Sequence, residues 1–107
     1  MSFNVAFVAH APDAIPEKHQ CLIETPMYKL FVRVVQSQEQ AVKICQELVK
    51  KENIHAILLC PGFTHKNIAE LADAVGPKTG IFVARGDSPS NNIVAEVMTR
   101  EGWLARR

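Results

Sequence analysis

The run Ile54-His-Ala-Ile-Leu-Leu-Cys60 limits what this chain can become more than any other stretch. All but His55 are apolar or cysteine, a density that suits a strand covered on both faces, as in a parallel α/β sheet. Pro61-Gly62-Phe63 breaks the strand and Thr64 opens a helix. In that helix Ile68, Leu71, Ala72 and Val75 recur at i, i+3, i+4 and i+7, a single stripe facing the sheet. Gly76-Pro77 stops it in the usual order of glycine cap and then proline. The turn between strand and helix lies at the carboxyl end of one and the amino end of the other, where α/β proteins bind ligands.

The other elements follow from the same two periodicities. Residues 3–9 are apolar except Asn4 and form a first strand, with His10 at its carboxyl end. Two prolines forbid a regular helix across Ala11–Pro16. Pro16 is expected in the first turn of a short helix over 16–23, which Glu24-Thr25-Pro26 ends. Residues 29–35 form a second strand in which Lys29 and Arg33 share one alternate face, and charge inside a strand is typical of a sheet edge. Ser37 and Gln40 have the spacing of a capping box ahead of a helix whose buried stripe is Ala41, Ile44, Cys45 and Leu48. A fourth strand at 80–84 leads to a last helix, with Ser88 as cap, Pro89 in first position and an apolar face of Ile93, Val94, Val97 and Met98. Gly102 ends that helix. Trp103-Leu104 is expected either to fold back over its terminus or to contact another subunit.

Alternating strands and helices define an α/β fold with right-handed crossovers. The expectation is one domain over 1–107 with a four-stranded, mostly parallel sheet and helices on both faces. A flavodoxin-like order 2-1-3-4 puts the charged strand 29–35 at an edge and the two most apolar strands in the centre. A sequential order, as in half a β/α barrel, would bury Arg33's strand between neighbours and is the less favoured arrangement.

Charge and cysteine content exclude several function classes. Twelve basic against eleven acidic residues leave a net charge of +1, too little to favour nucleic acid or an anionic membrane. The closing Arg106-Arg107 pair reads as a solvated tail. Three cysteines, Cys21, Cys45 and Cys60, without CxxC spacing fit neither a disulfide framework nor a structural zinc module. Free thiols, no signal-peptide pattern and no bilayer-length apolar run make a soluble cytoplasmic protein the expectation.

If strands 3–9 and 54–60 are neighbours, the sheet's switch point gathers His10, Cys60, Gly62, Phe63, Thr64, His65 and Arg85 on one rim, with Asp87 beside them. Cys60 as a nucleophile with His10 or His65 as its base is one reading, and a packed strand-end cysteine is the plainer one. No ligand pair has metal-site spacing, so no metal is expected. Gly62-Phe-Thr-His65 is neither a Walker loop nor GxGxxG, and no cofactor can be named. Phe63 either plugs the core or lines a pocket. The opening turn of the helix at Thr64 carries free amides, Gly62 admits a close backbone approach, and Arg85 offers a fork for two oxygens. Together they suggest an anionic small ligand.

Pro16-Glu-Lys-His19, Ile23-Glu-Thr-Pro26, Cys60-x-Gly62-Phe63 and Val83-x-Arg85 resemble a family of short bacterial α/β proteins of unknown function. The likeness covers most of the chain to about Arg85 and departs at Pro61, where the family pattern has glycine. It implies no activity, cofactor or catalytic residue, and it marks His19, Glu24, the Cys60–Phe63 loop and Arg85 as positions of interest. Two functions remain open at this level. One is a small-molecule-binding protein, with or without catalysis, that takes an anionic ligand at the rim. The other is a non-catalytic module that self-associates, as a homodimer, or binds a partner.

Overall fold

The computed structural model describes residues 1–103. In chain order the elements are β1 (Phe3–His10), β2 (Gln20–Thr25), β3 (Tyr28–Val35), α1 (Gln38–Glu52), β4 (Ala56–Leu59), α2 (His65–Val75), β5 (Gly80–Val83), a 3-10 turn at Ser88–Ser90 and α3 (Asn91–Arg100). The strands form one mixed sheet in the order β2-β3-β1-β4-β5. β3, β1, β4 and β5 are parallel, and β2 is antiparallel to β3. The four expected strands therefore stand in the expected relative order, within a five-stranded sheet.

The fifth strand corrects three expectations. Residues expected to form a helix over 16–23 make turns and then β2, whose six residues are all exposed. Pro16 as a helix opener was a local argument. β3 presents a row of free backbone donors and acceptors, and pairing Gln20–Thr25 against it satisfies those groups where a detached helix would leave them to water. Consequently β3 is not an edge, and the charges on it need another account. Lys29 meets Glu24 of β2 at 3.6 Å as its cross-strand partner. Arg33 turns toward α1, its guanidinium 5.9 Å from the Phe31 ring centre, beside Glu47 and Glu52.

Helices do not cover both faces. Ala6, Val8, Phe31, Val35, Ile57 and Leu59 point to one side, where Ala41, Cys45 and Leu48 of α1 and Leu71 of α2 complete the core. The crossovers β3-α1-β4 and β4-α2-β5 move the same way across the sheet, so right-handedness puts both helices on that side. The connection that could have placed a helix on the other side, from β1 to β3, contains β2 instead. α3 forms where its periodicity predicts but buries no residue, and neither Ser88 nor Ser90 caps by its side chain. Its apolar face is largely in water, with Ile93 67%, Val94 53% and Val97 41% exposed. Trp103 does fold back, its amide donating to the Met98 carbonyl at 2.9 Å. Leu104 and the Arg106-Arg107 tail lie outside the described residues.

Asn4, the buried polar residue of β1, ties the sheet to α1. Its side-chain amide donates to the carbonyls of Glu52 at 3.1 Å and Asn53 at 3.2 Å, and its backbone N–H donates to His55 Nδ1 at 3.0 Å. Those carbonyls close a helix end whose C-cap, Asn53, has left-handed φ, and they have no intrahelical donors. Asn4→Ala is expected to cost about 1–3 kcal/mol by stranding buried polar groups. Asn4→Asp is expected to cost more, because a carboxylate would face two carbonyl oxygens. Urea denaturation that ranked Asp above Ala in stability would refute this role.

Candidate functional site

Three strand ends converge beside α1 and α2. Past β1 come His10, Ala11 and Pro12, past β3 Gln36 and Ser37, and past β4 Cys60, Pro61 and Gly62. With the amino ends of α1 and α2 and the inner side of α3 they enclose a cleft of about 660 Å³. This volume lies within the range of small-molecule sites. The connections leaving β1 and β3 run in opposite directions across the sheet, so β1 is the switch point, and the cleft opens at its carboxyl end.

Of the residues expected here, His10, Cys60, Gly62 and Thr64 line the cleft. Phe63 is buried in the core and supports the floor, its ring stacked on that of His10 with centres 4.1 Å apart. The His10 backbone N–H donates to Cys60 Sγ at 3.4 Å, fastening the end of β1 to the end of β4. A β-carbon built on Gly62 would lie 3.5 Å from Cys60 Sγ and 3.6 Å from His10 Nδ1, so all three groups share one corner of the cleft. Gly62 has no positive φ, and side chains at this position meet no backbone penalty. Pro61 rests against the loop after β5, where a β-carbon on Gly86 would be 3.5 Å from its own.

His65 and Arg85 are not in the cleft wall. His65 is the exposed first residue of α2, and Arg85 is exposed and ion-paired with Asp87. The helix opening is also more satisfied than the sequence suggested. Thr64 Oγ1 accepts from Asn67 N–H at 3.1 Å and Asn67 Oδ1 accepts from Thr64 N–H at 3.2 Å, a reciprocal capping box that occupies two of the four first-turn donors. The amides of His65 and Lys66 remain. On the other flank, Ser37 caps α1 by accepting from Gln40 N–H, while Gln40 Oε1 reaches Gln36 N–H instead of completing a box with Ser37.

Sequence reasoning missed most of the cleft. Gln36, Gln38 and Asn67 supply its amide groups, and Val94, Met98 and Trp103 its apolar wall. Gln38 spans the two helices, its Nε2 donating to the Asn67 carbonyl at 3.1 Å and to Glu70 Oε1 at 2.7 Å. Those two acceptors fix the amide's orientation and leave Gln38 Oε1 buried without a hydrogen-bond partner among the described residues. The available signal was Gln36-Ser37-Gln38 itself, a second strand-to-helix turn of the same kind as 60–64. The positions suggested by the resemblance divide. His19 Nδ1 accepts from Ile15 N–H at 2.8 Å within a surface turn and Glu24 pairs with Lys29, so both make surface contacts outside the cleft wall. Among the described residues no cluster of three His, Cys, Asp or Glu could hold a metal ion, and no helix is long and apolar enough to cross a membrane.

The fold and cleft define a small mixed-sheet α/β protein with a concave, largely apolar site at its strand ends. The chain matches the model of a family of unknown function (DUF6506) over residues 3–99 and belongs to that family. No curated protein and no solved structure matches it.

Proposed function

We propose that the protein binds a small molecule in the cleft at the carboxyl end of β1. The observation that carries this reading is the joining of a polar corner, His10, Cys60 and the amides of Gln36 and Gln38, to an apolar wall formed by α3 and Trp103. The ligand has an apolar body that covers Val94 and Met98, side chains α3 otherwise leaves to water or half-buried. Its polar end hydrogen-bonds the amide groups, and the unsatisfied Gln38 oxygen favours a ligand N–H or O–H. An anionic group on such a ligand lies at the amino end of α2, where Thr64 and Asn67 line the cleft.

Trp103 is the chain's one tryptophan and lines the cleft, so its emission reports occupancy directly. Titration with short aliphatic and aromatic carboxylic acids and the matching amides is expected to shift or quench Trp103 fluorescence with saturation. Gly62→Leu is expected to fill the polar corner and abolish that response while leaving the circular dichroism spectrum unchanged. A saturable response that Gly62→Leu leaves intact would place the ligand elsewhere and remove this reading.

A further inference from the structure

We propose that the helix-free face of the sheet is the interface of a homodimer, sheet packed against sheet about a two-fold axis. The inference does not depend on the cleft. Strand alternation puts Phe3, Phe7, Val32, Leu58 and Phe82 on this face, with Ile23 of β2 at its margin. No helix among the described residues packs over them, and Phe3 is 51%, Ile23 55% and Phe82 60% exposed. The three charged residues within strands, Glu24, Lys29 and Arg33, all occupy the alternate positions that face the helices. The helix-free face carries no charge at all. A charge-free face is the reverse of the usual amphipathic sheet, in which the uncovered side takes the polar residues.

Area and chemistry together select a second copy of this chain as the occupant. At about 200 Å² for a fully exposed aromatic side chain, Phe3 and Phe82 alone leave about 220 Å² in water. With Ile23 and the half-buried positions the face reaches on the order of 600 Å², at the limit for the largest apolar patch of a monomer and near the ~800 Å² each partner gives to a standard interface. Turn residues at the margin, among them Met27 at 79% exposure, supply the rest. A two-fold contact needs a surface complementary to itself, and a flat apolar face meets that condition without bringing like charges together. A different protein would be oriented by charged groups, which the strands leave off this face.

Sedimentation equilibrium of the full chain is expected to show a dimer at micromolar concentration, with a melting temperature that rises with protein concentration. Ile23→Glu and Phe82→Lys change exposed side chains, and each is expected to weaken the dimer at least about tenfold. The double variant is expected to be a folded monomer whose melting temperature no longer depends on concentration. Val97→Lys, on the exposed side of α3, is expected to leave the dimer intact. A wild-type chain that stays monomeric would overturn the proposal, whether or not it instead co-sediments with phosphatidylcholine vesicles. So would a dimer that Val97→Lys breaks and the sheet-face pair does not.

Discussion

Leu71→Ala is expected to destabilise the fold by about 2–5 kcal/mol, the range for emptying a fully buried leucine site. Leu71 has no solvent exposure and is the one buried residue of α2. Its side chain sits in the cluster with Ile57 and Leu59 of β4, so truncation leaves a cavity between helix and sheet rather than a surface dent. For a domain of this length total stability is about 5–15 kcal/mol, and the loss should lower the melting temperature by on the order of 10–20 °C. The same change at Val97, on the exposed face of α3, should stay within about 0.5 kcal/mol. Because α2 also carries Thr64 and Asn67 into the cleft, a partly undocked helix should weaken ligand binding as well. Equal melting temperatures for Leu71→Ala and Val97→Ala would contradict this account of the core.

Alkaline pH is expected to destabilise the protein through Cys45. This thiol lies fully buried on α1, and burial pushes its pKa up from 9.0 to about 12. The folded state holds the proton more tightly than the unfolded chain does. Below pH 9 both states are protonated and the group has no pH effect. From there to about pH 12 the unfolded chain alone releases the proton, so stability falls with rising pH by about 1.4 kcal/mol per unit, roughly 4 kcal/mol over the window. Cys45→Ala removes the proton that drives this loss. Urea denaturation at intervals across the window should show the variant less stable than wild type near neutrality and progressively closer to it, or above it, as pH rises. A constant difference between the two would exclude Cys45 as the origin. Cys45 should alkylate only on unfolding.

Elements whose stabilising partners lie within their own residues were legible. The capping pattern at Thr64 and the stripe Ile68-Leu71-Ala72-Val75 fix α2 locally, and its observed bounds, His65–Val75, agree to one residue. The density of apolar residues in 54–60 marked a central strand, although pairing confines β4 to Ala56–Leu59. The four parallel strands stand in the favoured order, but the premise for it failed. The charge of Arg33 suggests an edge, yet the side chain faces α1 while β2 occupies the edge. Likewise Arg85, expected at the rim, is exposed and ion-paired with Asp87, two residues away.

Residues 20–25 show why the remainder was not legible. Gln-Cys-Leu-Ile-Glu-Thr has neither a clean helical stripe nor strict alternation, and its strand state is decided by the free edge of β3, a partner supplied by other residues. That one choice took away the segment that could have covered the second face, and so decided that the face stays open. The cleft was decided in the same way, since Gln36, Asn67 and the Met98–Trp103 segment come from three separate parts of the chain. By itself the sequence determined the α/β class, the two docked helices and the strand-end turns, because periodicity and capping act within a few residues. Tertiary structure alone decided the sheet edge, the open face and the cleft walls, because each depends on hydrogen bonds or contacts between segments far apart in sequence.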